Sequence, residues 1–273
     1  MFTGYVPGRE DKAYLSTLQN ESAVLAMRGT YEEVRFDPRK LIKVENQSRQ
    51  GACQGHSLTS ILEWIYCLAT GGDLIQLSRA MAYYATQELD GIRGDNGSTV
   101  SGGVKLAKTK GVCREELWKY PSAYDNRWPK DKHAVLADAA KYRIASETRI
   151  TTYEGFRAFL GSGQGGIHTG IAWGGSMNKA VVEKFVPGGG GHSICGLVLS
   201  EREDSNGEPY AFIQNSWSES FGNKGWQEWS PTAIRQMLKH PHTVFVGISD
   251  MPEVKPREWT LKDTEDTVMW WKK

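Results

Sequence analysis

The stretch from Gly51 to Gly72 constrains this chain more than any other. Gly51-Ala52-Cys53 opens a run in which Leu58, Ile61, Leu62, Ile65, Leu68 and Ala69 recur at helical spacing, and Gly71-Gly72 closes it. Apolar side chains three and four apart make one face of a helix that must be buried. Glycine accepts the left-handed conformation that ends a helix. The spacing predicts a helix from Cys53 to about Thr70, with the cysteine in its first turn. Unpaired N–H groups and the positive end of the helix dipole stabilise a thiolate at such a position.

The residues around this cysteine, and those far downstream, supply the rest of a reaction centre. Gln47 precedes Cys53 by six residues; Gly-Gly-His192-Ser and Gln214-Asn215-Ser216-Trp217 follow much later. Amide, thiol, imidazole and a second amide appear in that order, and these are the parts of a cysteine-nucleophile acyl-transfer site. A thiol with an ordinary pKa of about 8.5 is only a few per cent thiolate at neutral pH. An imidazole that takes its proton makes a far better populated nucleophile. His192 then protonates the leaving amine and later activates water. Asn215 holds the His192 ring by one hydrogen bond, and Trp217 covers that bond. Gln47 and the Cys53 backbone N–H donate to the tetrahedral oxyanion. Taken singly, each residue has an ordinary alternative. Cys53 is then a small buried hydrophobe, His192 a glycine-loop residue, Asn215 a turn amide, Gln47 a loop side chain and Trp217 core.

Bulk composition narrows the setting. With 39% hydrophobic residues, ten Trp and eleven Tyr in 273 residues, the chain can bury a core in one large domain or two joined lobes. Lys+Arg is 33 against Asp+Glu 32, a formal net charge of +1, which argues against nucleic acid as a partner. Cys53, Cys67, Cys113 and Cys195 are too scattered for a disulfide scaffold and contain no Cys-x-x-Cys pair. They read as free thiols in a reducing setting, with no metal site. The first residues lack a charged segment followed by an apolar core, so no secretory signal is expected. Residues 61–69 form the best apolar run, but it is short and holds Glu63. Crossing a bilayer takes about 20 apolar residues. No membrane association is expected, and the expected location is cytoplasmic or virion-associated.

Periodicity suggests helices over 11–20, 78–89, 104–110, 152–160 and 231–238, and extended segments over 40–44, 142–150, 167–173, 192–199, 210–214 and 243–248. A helical first half and a β-rich second half make an α+β fold with segregated lobes. The expected division is an N-terminal extension (1–36), a helical lobe with the nucleophile (37–141), a β-rich lobe with the histidine and asparagine (142–250), and a tail (251–273). Trp270-Trp271 in the tail suits docking to an assembly partner, or is a frayed end.

Asn215-Ser216-Trp217-Ser218-Glu219-Ser220-Phe221-Gly222-Asn223-Lys224-Gly225-Trp226, together with residues 44–57 and 189–196, resembles the corresponding blocks of papain-like cysteine peptidases, closer in shape to bacterial and phage members. The likeness runs through most of residues 37–250. It implies a two-lobe fold, helical left lobe and β-rich right lobe, with the active-site cleft between them. It also implies a cysteine peptidase that cleaves peptide or protein substrates through a thioacyl-enzyme, without cofactor or metal. The family's roles fall on Cys53, His192, Asn215 and Gln47, with Trp217 in support. Family members pair a Gly-Gly segment with the substrate backbone; the matching positions are Asn96, Gly97 and Ser98, with Gly191 beside the histidine.

Some positions depart from the pattern. Gln50 and Asp95 stand where the family has a disulfide, Gln54 replaces an aromatic and is expected to alter the leaving-group side, and Gly191 replaces an aspartate. The extension is too short for a full inhibitory pro-domain, which implies either no zymogen control or control by an external partner. His56 reads as a packing residue and His168 as a strand residue of the second lobe. Two other readings remain: a hydrolase of cell-wall peptides, and a structural or virion component on a papain-like scaffold.

Overall fold

The computed structural model describes residues 4–20 and 36–254. The tail dipeptide Trp270-Trp271 lies outside the described residues.

Helix α3 (Cys53–Thr70) runs through the middle of the molecule, and almost every residue of it is buried. It is apolar on more than one face because it has neighbours on both sides: α4 (Arg79–Asp90) on one, strands β3 (Gly165–Trp173) and β5 (Gly190–Glu203) on the other. Gly55 makes the first contact possible, since a Cβ there would lie 2.9 Å from the Tyr83 nitrogen. Gly71, at φ +75°, ends the helix as expected. Glu63 is buried within it because Arg79 pairs with it through two hydrogen bonds of 2.5 and 2.8 Å.

The second half, joined by one short strand from residues 19–20, forms a sheet. Its strands, numbered along the chain, are β1 (Gln19–Asn20), β2 (Ser146–Ile150), β3, β4 (Val181–Val182), β5, β6 (Pro209–Gln214), β7 (Trp226–Trp229) and β8 (Val244–Ser249). Their spatial order is β1-β2-β8-β3-β5-β6-β7-β4. The central pairs β3–β5, β5–β6 and β3–β8 are antiparallel. One buried apolar cluster surrounds α3, α4 and α5 (Val100–Thr109); the other lies between the sheet, α7 (Tyr153–Gly161) and α8 (Pro231–Leu238). This is the mixed α+β fold with a helical and a sheet region that the sequence implied.

Local expectations fail in instructive places. Residues 38–41 form a short helix, α2 (Pro38–Leu41), which takes up the start of the extended segment expected over 40–44. Asp37 accepts the Arg39 N–H at 3.0 Å, and Pro38 fills the first helical position, where its missing N–H costs nothing. Helix α5 starts at Val100 rather than 104, because Thr99 caps it and Glu10 accepts the N–H groups of Val100 and Ser101 at 2.8 Å each. Helix α6 (Lys132–Ala139) and strand β7 lie where no element was expected. The disulfide-free corner is tied by hydrogen bonds: Asp95 Oδ1 accepts the Gly51 N–H at 2.8 Å, and Gln50 joins the Pro121 carbonyl at 2.7 Å and the Tyr84 hydroxyl at 2.6 Å.

Candidate active site

Cys53 is the first residue of α3, and its sulfur accepts the backbone N–H of Ser193 at 3.4 Å. Ser193 follows His192 on β5, so the thiol and the imidazole belong to one site. The antiparallel register of β5 with β6 (Cys195 opposite Gln214) carries the chain straight into Asn215. Asn215 Oδ1 accepts from His192 Nε2 at 3.0 Å and from the Ser216 N–H at 2.7 Å. Because that oxygen can only accept, the proton sits on Nε2 and the lone pair on Nδ1. His192 Nδ1 has no hydrogen-bond partner among the described residues. Trp217 stacks on the imidazole, 4.3 Å between centroids at 21°, and Trp173 meets it edge-on at 4.8 Å. Trp173 was expected only as the end of a strand; it and Trp217 wall the ring off from water on two sides.

Neither Cys53 nor His192 is exposed, and this works against the expected ionisation. Burial pushes the Cys53 thiol up to about 11, against the pull of the Ser193, Gly4 and Gln54 N–H groups. Burial also pulls His192 down to about 4, although the Asn215 bond works the other way. In this arrangement both groups are neutral. Burial thus favours the neutral pair over the expected thiolate–imidazolium pair.

Gln47 is clasped by the other lobe. Its N–H donates to the Ser216 carbonyl at 2.9 Å, and its Oε1 accepts the Ser216 hydroxyl at 2.7 Å. With Oε1 so engaged, Nε2 faces the other way and gives one of its two hydrogens to the Gln50 carbonyl at 2.9 Å. Sequence reading missed Ser216; the signal was a hydroxyl residue wedged between Asn215 and Trp217.

The cover is the chain's own N-terminal segment. The Ser98 N–H donates to the Gly4 carbonyl at 2.8 Å, Val6 N–H to the Ser98 carbonyl at 3.2 Å, and Tyr5 N–H to the Gly191 carbonyl at 3.0 Å. Tyr5 and Ser98 run parallel. The fit at Gly4 admits no side chain, since a Cβ there would lie 1.9 Å from the Gly51 oxygen. Gly97, at φ +77°, is equally tight: its Cβ would lie 1.8 Å from the Gly4 oxygen. The Tyr5 ring is buried against Gly170, and its hydroxyl lies 3.4 Å from the His242 carbonyl. Further along, Glu10 caps α5 and Asp11 pairs with Lys105. Residues 4–6 thus lie over the site, an arrangement the sequence reading did not foresee. Gly97, Ser98 and Gly191 all meet this segment. Asn96 does not; it is exposed and its amide donates to the Arg93 carbonyl at 2.7 Å.

Two further expectations change or hold. Gln54 does not line the leaving-group side; it is fully buried and bonded to Ser98 and His168. His56 is buried, with Nδ1 3.0 Å from the Ala52 carbonyl and its ring edge-on to Tyr120, which suits a packing residue. Cys67, Cys113 and Cys195 are buried free thiols. Among the described residues no group of three or more His, Cys, Asp or Glu could hold a metal ion, and no helix is long and apolar enough to cross a membrane.

The chain is 25% identical over 229 residues to a probable cysteine protease, RD19B, of Arabidopsis thaliana, covering 76% of this chain and 60% of that protein. It is 24% identical over 198 residues to fruit bromelain of Ananas comosus, covering 67% and 50%. The match therefore spans about half to three-fifths of these relatives. Among solved structures, the fold is similar to xylellain, a cysteine protease from Xylella fastidiosa, with a TM-score of 0.70 at 20% identity over 90% of this chain and 95% of that one. It is also similar to procathepsin B S9 from Trypanosoma congolense, with a TM-score of 0.66 at 18% identity over 91% and 87%. The model of the papain family cysteine proteases matches residues 33–238, a span that includes Cys53, His192 and Asn215, and the chain belongs to that family.

Proposed function

We propose that this protein is a cysteine endopeptidase that hydrolyses peptide bonds of protein or peptide substrates once residues 4–7 leave the cleft. The observation that supports this most is the 3.0 Å bond from His192 to Asn215, beside a thiol that accepts the Ser193 N–H. It leaves the Nδ1 lone pair of His192 as the base for Cys53.

The Cys53 proton passes to His192 Nδ1, and the sulfur attacks the scissile carbonyl carbon. Negative charge moves to the carbonyl oxygen, where Gln47 Nε2 and the Cys53 N–H receive it. As the tetrahedral intermediate collapses, the C–N bond breaks and the amine takes the proton from Nδ1. The acyl group is then a thioester on Cys53. Water attacks that carbon, giving its proton to His192, and the acid leaves as the thiol is restored. Asn215 keeps the ring in plane through both proton transfers.

Substrate backbone pairs with Ser98 and Gly191, the two residues now bonded to Gly4, Tyr5 and Val6. The test is a peptide library offered to the full chain and to Cys53→Ala. Cleavage by the first and none by the second is expected; equal cleavage, or none by either under any condition that frees the cleft, would overturn the proposal.

A further inference from the structure

Ser98 faces two ways. Its backbone lies on the cleft, paired with Gly4 and Val6, while its hydroxyl turns inward and donates to Gln54 Oε1 at 2.9 Å. Gln54 Nε2 in turn lies 3.5 Å from His168 Nε2, and His168 Nδ1 lies 2.8 Å from the Ser57 hydroxyl. All four side chains are buried. They come from both lobes: Gln54 and Ser57 from α3, Ser98 from the loop before α5, His168 from β3. Room for the amide is made by Gly103, where a Cβ would lie 1.8 Å from Gln54 Nε2. A glycine inside α5 weakens the helix, and here it accommodates this bond.

We infer that Gln54 and His168 are positioning residues for the peptidase proposed above, which through Ser98 hold the substrate-pairing backbone in register with Cys53. Gln54 directly follows the nucleophile, and its backbone N–H bears on the sulfur. Its side chain reaches the strand that pairs with peptide. One residue therefore links the attacking atom to the line on which the substrate lies. The orientation of the Gln54 amide, oxygen toward Ser98 and nitrogen toward His168, sets the direction of the chain. Burial pulls His168 down to about 3, so the ring is neutral. With its Nδ1 proton directed at Ser57, Nε2 keeps a lone pair for the Gln54 amide. The amide then presents its oxygen, and no other atom, to Ser98. A buried link of this kind is stiff, because leaving any member unpaired costs more than the bond itself returns.

The test compares two thiol reagents on the full chain: a dipeptidyl fluoromethyl ketone, which spans Ser98, and iodoacetamide, which does not. Opening of the N-terminal segment multiplies both second-order rates and cancels in their ratio. Ser98→Ala and Gln54→Leu are each expected to lower the ratio of peptidyl to small-reagent rate by about fivefold to tenfold, the share of one buried hydrogen bond. The double variant is expected to fall no further than either single one, since both remove the same bond. Ser98→Thr, which keeps the hydroxyl, is expected to restore the ratio. His168→Leu is expected to lower it in the same direction. If Gln54→Leu does not fold, Ser98→Ala carries the test, because it removes a single oxygen. An unchanged ratio in Ser98→Ala, or losses that multiply in the double variant, overturns the inference while the peptidase proposal stands. Failure of both reagents to label Cys53 even in Gly4→Val, where the segment is displaced, would sink the peptidase proposal, and this inference with it.

Discussion

Ser216 grips Gln47 twice across the lobes, its carbonyl accepting the Gln47 N–H at 2.9 Å and its hydroxyl donating to Gln47 Oε1 at 2.7 Å. The second contact decides which end of the Gln47 amide would carry hydrogen toward the oxyanion of the proposed mechanism. Ser216→Ala removes that choice without altering the thiol or the ring. The expected result is a kcat lower by about tenfold, the cost of one misdirected buried bond, with KM little changed. A KM effect of that size with kcat intact would show that Ser216 serves binding instead.

In the proposed mechanism Asn215 acts on a ring that becomes charged during the reaction. A hydrogen bond to a charged group contributes about 1.5–3 kcal/mol. Asn215→Ala is therefore expected to lower kcat/KM by about ten- to a hundredfold, while Cys53 can still be labelled. Complete loss of labelling would mean that Asn215 holds the fold of the site and not the ring alone.

The N-terminal segment depends on a glycine with no room to spare. A Cβ on Gly4 would lie 1.9 Å from the Gly51 oxygen, a backbone atom that cannot step aside. Gly4→Val is expected to displace residues 4–7 and raise the peptidase rate of the full chain by more than tenfold. Tyr5→Ala, which empties the space over Gly170, is expected to do the same to a smaller degree. Wild-type rates in both variants would show that the segment leaves the cleft unaided.

Much of the site was legible because its chemistry sits in contiguous blocks. The helix at Cys53 could be read from spacing, and Asn215 and Trp217 from their neighbours. What the sequence hid depends on contacts between distant residues. The bond from Gln54 to His168 spans 114 positions, and the one from Ser216 to Gln47 spans 169. No local pattern marks either. Helix α5 was cut short at its start because Gly102 and Gly103 look like loop residues. In the structure a Cβ on Gly102 would meet Asp90 and one on Gly103 would meet Gln54, so these glycines record packing. Tyr5 escaped notice for the same reason: its meaning lies in Gly170, where the missing side chain makes room for its ring.

Ionisation of the site gives an independent check on the cover. Burial holds the thiol near 11 and the imidazole near 4, so between those values neither carries charge. Return of water stabilises both charged forms, moving the thiol down and the ring up. Iodoacetamide labelling of Cys53 in the wild type is expected to keep climbing past neutral pH toward about 11. In Gly4→Val it is expected to level off at or below the ordinary thiol value of about 8.5. Superimposable profiles would contradict the account.

The pair Glu63–Arg79 ties α3 to the start of α4, nearly three turns beyond Cys53. Both side chains are 3% exposed, and Glu63 also accepts the Leu77 N–H at 2.8 Å. Arg79→Met leaves a carboxylate with its burial cost and no opposing charge, which is expected to destabilise the protein by about 3–5 kcal/mol in denaturant unfolding. Burial already raises the Glu63 pKa while Arg79 opposes it, so removing Arg79 moves it further up. A carboxyl raised in the folded state binds its proton there before the unfolded chain does. The variant therefore recovers stability as pH falls from that raised value toward the ordinary 4.5. Glu63→Leu combined with Arg79→Met removes both charges and is expected to recover most of the loss, short of the about 1–3 kcal/mol for the orphaned Leu77 N–H. A deficit that ignores pH in the single variant, or a double variant as unstable as the single, would mean that the arginine contributes by packing and not by charge.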